Sequence, residues 1–183
     1  TVLILGAGTI GLTALLAAKA AGSHTLITAR HPHQQEAARR LGADEVIGDD
    51  DTGRARLTEL AEQEAIDVAV ETVGGRADTL IQAQRAVRRM GSVIVIGIFT
   101  DRLATIDALD MVLRELRFIG AIIYGAPTGK AEYAMALDLL AGHTDAARSL
   151  ITHRFALGYA NEAFATALDK SSNSIKVHIN PNR

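Results

Sequence analysis

Cysteine and tryptophan are absent from the 183 residues, aromatic residues make up only 4%, and there are three prolines. Without cysteine the chain forms no disulfide and offers no thiolate to zinc, so a Cys-based metal site is excluded within it. Also missing are an apolar run approaching the roughly 20 residues that a membrane-spanning helix needs and the basic-then-apolar start of a signal peptide. Charge leans neither way: 19 Lys and Arg against 21 Asp and Glu leave a net charge of −2, which gives no reason to expect nucleic acid or an anionic membrane as partner. A cytoplasmic protein is the default expectation. The six histidines (24, 31, 33, 143, 153 and 178) include no pair at helical ligand spacing. His31 and His33 are two apart in a loop, a weak metal signal, and His153 lies in an apolar strand and reads as a structural histidine.

One more absence is the most useful. No Asp or Glu occurs between Gly11 and Glu36. That matters because of what precedes it. Residues 2–5 (VLIL) are a short apolar run, followed by Gly6, Gly8 and Gly11 and then an Ala-rich helical stretch over 12–21. Strand, glycine turn and helix in that order are the context in which GxGxxG carries meaning: Gly6 for a tight turn, Gly8 for backbone approach to a pyrophosphate, Gly11 for close packing of helix on strand. The helix N-terminus adds free N–H groups and a positive dipole end. Proteins that hold NAD this way usually place an acidic residue about 20 positions on, at the tip of the second strand, to accept from the ribose hydroxyl. Here residues 25–28 read as that strand and its tip is Ala29 and Arg30. Ala29 removes the carboxylate that would repel a 2′-phosphate, and the Arg30 guanidinium suits one, so NADP(H) is expected over NAD(H). His31 and His33 would assist only if protonated.

At 48% hydrophobic content the chain is long enough for one well-packed domain with an appendage. Helices are expected at 33–41, capped by Gly42, at 54–64 with an apolar stripe at Leu57, Leu60 and Ala61, at 77–89, near 106–115 and at 129–140. Strands are expected at 44–47, 65–71, 91–97 and 117–125. Arg39, Arg40, Arg88 and Arg89 read as solvated helical faces. Strands apolar on both faces alternating with helices give an α/β fold, a doubly wound parallel six-stranded sheet of Rossmann type. Its ligand would lie at the strand carboxyl ends, where the loops are 6–11, 29–30, 72–75, 97–99 and 122–125. The last forty residues break the rhythm: strands at 149–157 and 174–180 flank an amphipathic helix at 159–168, an appendage the sheet does not require.

Read together, GAGTIGL, AARRLGADEVI (37–47), DVAVETVGG (67–75), RRMGSVIVIG (88–97), RELRFIGAIIYG (114–125) and the closing LITHRFAL, NEAF and IKVHINP resemble the coenzyme-binding half of the medium-chain dehydrogenase/reductase superfamily, in particular its zinc-type alcohol and polyol dehydrogenases. The resemblance covers nearly the whole chain. It implies a domain at 1–142 that binds NADP(H), and a segment at 143–183 that returns to a GroES-like catalytic domain. That catalytic domain, with its zinc and most of the substrate pocket, is not in these residues, so the chain is expected to be part of a longer enzyme and inactive alone. The resemblance assigns Gly6, Ala7, Gly8, Thr9, Ile10 and Gly11 to the pyrophosphate and Ala29 and Arg30 to the adenosine ribose phosphate. Thr72, Val73 and Gly74 fall to the adenine side and crevice floor, and Gly97, Ile98, Phe99, Ile123 and Tyr124 to the nicotinamide. Glu71 is expected to cap the crevice turn. No residue here is assigned a catalytic or metal role. NADP(H)-using relatives resemble this chain in lacking Asp at position 29, but this sequence has His33 and Gln34 where they carry a second arginine. The apolar strand at 117–124 implies a homodimer formed edge to edge. A zinc-free quinone or enoyl reductase of the same superfamily, and a non-catalytic dinucleotide-binding module, remain open.

Overall fold

The computed structural model describes residues 1–101, 103–122, 125 and 129–182. Six parallel strands form the main sheet: β1 (Val2–Leu5), β2 (Thr25–Ala29), β3 (Glu45–Gly48), β4 (Ile66–Glu71), β5 (Val87–Val95) and β6 (Arg117–Gly120). Their spatial order is β3-β2-β1-β4-β5-β6. The chain starts in the middle, winds outward to β3, then crosses back to β4 on the other side of β1. The junction of β1 and β4 is therefore where the winding reverses, the position at which sheets of this topology take their ligands.

Side chains alternate along each strand between two apolar layers. Leu3, Leu5, Leu26, Ala69 and Val93 enter one layer; Ile4, Ile27 and Val70 enter the other, with Ile94 packed against it. The first layer is closed by Leu57 and Leu60 of α3 (Asp51–Glu62), Leu80, Ala83 and Ala86 of α4 (Thr79–Ala86) and Met111 of α5 (Ala108–Leu113). The second is closed by Leu12 and Leu15 of α1 (Thr9–Ala20) and by Ala37 and Ala38 of α2 (Pro32–Arg40). Each leucine so buried contributes roughly 1.5–3 kcal/mol relative to exposure, which is why strands with no polar face are stable here.

Beyond β6 lie α6 (Glu132–Gly142) and α7 (Thr144–Ser149), the latter not anticipated from sequence. The closing unit is β7 (Ile151–Ala156), α8 (Ala160–Leu168) and β8 (Lys176–Asn180), with β7 and β8 paired in parallel as a separate two-stranded sheet. It is anchored by Leu150, buried in the second layer, and by Ile175, packed against it.

Most element boundaries fall within three residues of those read from sequence. The exception is the stretch around Arg88. The helix expected over 77–89 ends at Ala86, and Arg88 and Arg89 belong to β5. Arg88 Nε donates to Asp67 Oδ1 at 2.7 Å, drawing the chain alongside β4. The ladder then shifts register between Ile66 and Val68, with Met90 taking φ 60° inside the irregularity. An extra stretch of strand is accommodated by this bulge, so these arginines do not form a helical face. β6 likewise stops at Gly120, short of the strand expected to run to 125.

Candidate functional site

The β1–α1 turn is built by its neighbours as much as by its own glycines. Gly6 adopts φ +98°, a conformation that glycine alone takes without strain. Its N–H donates to Thr28 Oγ1 of β2 at 2.9 Å, while Thr72 Oγ1, just past β4, donates to Leu5 O at 2.7 Å. The turn is thus held from both adjacent strands. At Gly11 a Cβ would lie 1.8 Å from the Gly6 carbonyl oxygen, so helix and turn touch as only glycine permits. At Gly8 a Cβ would meet no atom of the described residues within 4 Å. Space therefore opens in front of the helix, as a group approaching the backbone requires. Among the described residues no side chain caps the α1 N-terminus, and no acidic residue occupies its first turn.

The β3–α3 turn provides an internal comparison. Gly48 and Gly53 repeat the five-residue spacing of Gly6 and Gly11, and a Cβ at Gly53 would lie 2.0 Å from the Gly48 carbonyl oxygen. At the N-cap position held by Gly8 in the first turn, this one has Asp50, whose Oδ1 accepts from Gly53 N–H at 2.8 Å. The same close packing of helix on turn is capped by a carboxylate in one case and carries no described side-chain cap in the other.

The remaining predicted tips gather around the opening. In register, Leu5 lies beside Thr28 on one side and Glu71 on the other, and Glu71 beside Val95. Glu71 is fully buried. Its Oε1 accepts from Val73 N–H at 2.8 Å, Gly74 N–H at 2.9 Å and Thr79 Oγ1 at 2.6 Å, fixing the crevice floor as the sequence suggested. Oε2 has no partner among the described residues, and a Cβ at Gly97 would lie 2.2 Å from it. Gly74, at φ +59°, is pressed against the backbone of Ile98, and Gly75 N–H donates to Ile98 O at 2.8 Å. The 72–75 and 97–99 loops therefore form one interlocked wall. Val73 and Ile98 are exposed on it, whereas Phe99 packs against the first core layer. Ile123 and Tyr124 lie outside the described residues.

At the tip of β2, Ala29 is buried and its carbonyl accepts from Gln35 Nε2 at 3.1 Å. Arg30 projects outward with 75% of its side chain exposed, and its Nε lies 3.6 Å from Asp49 Oδ2. His31 and His33 stack with ring centroids 5.6 Å apart. Burial and the adjacent His31 push the His33 imidazole below its ordinary value, with Asn173 acting in the opposite direction.

Three features of this site escaped the sequence. The hydroxyls of Thr28 and Thr72 grip the glycine turn, and the only signal for them is a polar residue at each strand tip. Asp49 stands beside Arg30 because Ala29 and Gly48 are paired in register, which places the next residues of both strands side by side. Thr9 Oγ1 donates to Ile175 O at 2.6 Å, a contact across 166 residues that brings the closing unit, and the exposed Lys176 after it, to the α1 N-terminus.

A family model described as zinc-binding dehydrogenase matches residues 9–142. The chain belongs to that family. It is 29% identical over 185 residues to sorbitol dehydrogenase of Bacillus subtilis, covering 100% of this chain and 51% of the relative. It is 36% identical over 168 residues to L-threonine 3-dehydrogenase of Saccharopolyspora erythraea, covering 91% and 47%. Among solved structures, a putative zinc-binding dehydrogenase from Sinorhizobium meliloti bound to NADP superposes with a TM-score of 0.81 at 25% identity, covering 99% of this chain and 52% of that one. The chain thus spans about half the length of the relatives it matches, and corresponds to their coenzyme-binding half.

The family's zinc does not fit these residues. Among the described residues no three His, Cys, Asp or Glu side chains converge as metal ligands, and the chain has no cysteine. No step involving zinc is assigned to them. A dinucleotide does fit, in the open space at Gly8 before an uncapped helix. No helix among the described residues is long and apolar enough to cross a membrane.

Proposed function

We propose that this chain is the coenzyme-holding part of an oxidoreductase that moves hydride between NADP(H) and a carbinol or carbonyl carbon. The observation that carries the reading is the open, uncapped glycine turn at α1 beside a second-strand tip that presents Arg30 in place of a carboxylate. The dinucleotide, when bound, supplies the hydride-carrying nicotinamide. The chain's own residues bind and orient it. The N–H groups opening α1 and the positive end of its dipole take the pyrophosphate. Arg30 takes the 2′-phosphate, Thr72 to Gly74 support the adenosine side, and Gly97 to Phe99 wall the crevice on the nicotinamide side. The names of two relatives, sorbitol dehydrogenase and L-threonine 3-dehydrogenase, support an alcohol as the substrate class. NADP in the Sinorhizobium structure supports the cofactor.

The same reading makes residues 1–142 the coenzyme domain and 143–183 a segment that packs on further protein, which is supported by exposed Leu157, Tyr159, Phe164 and Leu168 on the closing unit. It also makes the protein a homodimer through the edge at 117–124. Ile119 and Ile122 are exposed there, as are Leu109, Val112 and Leu113 on the neighbouring α5, and an apolar unpaired edge is otherwise prone to aggregate.

The cofactor assignment is tested by Arg30→Ala. NADPH should bind more weakly by on the order of 1–3 kcal/mol, the usual cost of a charged hydrogen bond, with NADH almost unaffected. Equal weakening of both in a binding titration rejects the assignment. For the dimer, Ile119→Lys should give a monomer by light scattering at tens of micromolar; a wild type already monomeric at that concentration refutes it.

A further inference from the structure

We infer that Asp49 is a second determinant of cofactor specificity, opposing Arg30 from the neighbouring strand and limiting how far NADP(H) is favoured over NAD(H). The inference rests on the reading of Arg30 as the group that meets the 2′-phosphate.

Three consecutive aspartates follow Gly48, and the structure gives each a different task. Asp50 caps α3 through Gly53 N–H. Asp51 pairs with Arg54 within the first turn of that helix. Asp49 alone of the three is set against Arg30, with Oδ2 3.6 Å from Nε. Its placement follows from the sheet: Ala29 and Gly48 are register partners, so Arg30 and Asp49 leave adjacent parallel strands at the same level.

The carboxylate that a NAD-binding site usually carries at the end of β2 is thus missing from that strand but supplied, one strand over, at the same end of the sheet. A 2′-phosphate drawn to Arg30 brings close to two negative charges beside Asp49. It has to displace the carboxylate from the guanidinium and then remain near it. An unphosphorylated ribose offers neutral hydroxyls, which a carboxylate can accept from. Asp49 therefore penalises NADP(H) selectively, while Arg30 favours it. Both side chains are more than half exposed, so the effect is that of a solvent-screened pair, moderate in size and reduced by salt.

The test is a set of NADPH and NADH binding titrations on the whole protein at low ionic strength. Asp49→Asn should tighten NADPH by about threefold to fivefold, the scale of an exposed charge pair, and change NADH by less than twofold. Raising the salt should shrink the gain. Asp51→Asn removes the same charge from the same turn, and should leave the NADPH-to-NADH ratio unchanged. In an Arg30→Ala background Asp49→Asn should lose most of its effect, since the phosphate is no longer seated beside it. Unchanged NADPH affinity in Asp49→Asn, equal tightening of both cofactors, or an equal gain from Asp51→Asn overturns the inference. The two readings fail separately: if Arg30→Ala is selective but Asp49→Asn is silent, only Asp49 falls, whereas non-selective Arg30→Ala removes the cofactor reading beneath it.

Discussion

Gly8 and Gly11 lie three residues apart in one motif, yet the structure assigns them opposite consequences when a methyl group is added. At Gly8 the backbone is extended, with φ −76° and ψ −175°, and a Cβ meets no atom of the described residues within 4 Å. Alanine there gains about 0.4–1 kcal/mol by restricting the unfolded chain and loses a similar amount as a poorer N-cap than glycine. The net change should lie within about 0.5 kcal/mol. At Gly11 the added Cβ would sit 1.8 Å from the Gly6 carbonyl oxygen and 3.0 Å from Thr72 Oγ1. An ordinary carbon–oxygen contact is about 3.3 Å, so the helix or the turn must retreat by about 1.5 Å. The turn cannot give way cheaply, because Thr28 and Thr72 hold it from both sides. Overpacking against pinned backbone should reach or exceed about 3 kcal/mol, a fall in midpoint of roughly 6–12 °C for a chain of this size. Binding should separate the two differently. Gly8→Ala should melt as the wild type does but hold NADPH and NADH at least tenfold more weakly, about 1.4 kcal/mol, because the methyl occupies the space in front of the helix. Gly11→Ala should lose both stability and binding. Thermal unfolding with paired cofactor titrations reads both quantities. Wild-type affinity in Gly8→Ala refutes the placement of the pyrophosphate, and wild-type melting in Gly11→Ala refutes the packing argument.

Two further outcomes concern stability. Glu71→Ala strips the acceptor from Val73 N–H, Gly74 N–H and Thr79 Oγ1 and should cost about 3 kcal/mol, whereas Glu71→Gln keeps one oxygen for those donors and should cost less than half as much; denaturant midpoints near wild type for both variants would contradict the role given to this side chain. Asp44 is held well below the usual carboxylate range, first by Lys19 and then by the Thr25 N–H. A depressed folded-state value means its contribution is complete above the unfolded value near 3.9 and fades as pH falls below it. The melting-temperature gap between wild type and Asp44→Asn should therefore be constant above about pH 5, begin to narrow below about pH 4 and keep narrowing with further acid; a gap that does not vary with pH would refute this.

The sheet was legible because its strands carry apolar residues on both faces, a pattern that points to a helix-covered parallel sheet once glycine turns and helical stretches separate the strands. The loops around the crevice, and Glu71 as their support, follow from the same pattern. The features that stayed hidden share one cause, that pairing between distant segments cannot be read from local pattern. Arg88 and Arg89 continue a helical periodicity, and only the contact with Asp67 and the bulge at Met90 turn them into strand. Asp49 is one of three consecutive aspartates with nothing local to distinguish it, and only the register of β2 on β3 sets it beside Arg30. Thr9 reads as a first-turn residue, and nothing near it announces a bond to Ile175.

The two glycine turns let one molecule serve as its own reference. At α3 the Gly53 amide is satisfied by Asp50 at all times, since that acceptor is part of the chain. At α1 the corresponding Gly11 amide meets no side chain among the described residues, and is left to water or to whatever enters the crevice. The first turn of α1 should therefore tighten when the crevice is filled and loosen when it empties, while its counterpart at α3 stays constant. Occupancy would then register as backbone order at the very start of the helix that carries Leu12 and Leu15 into the core.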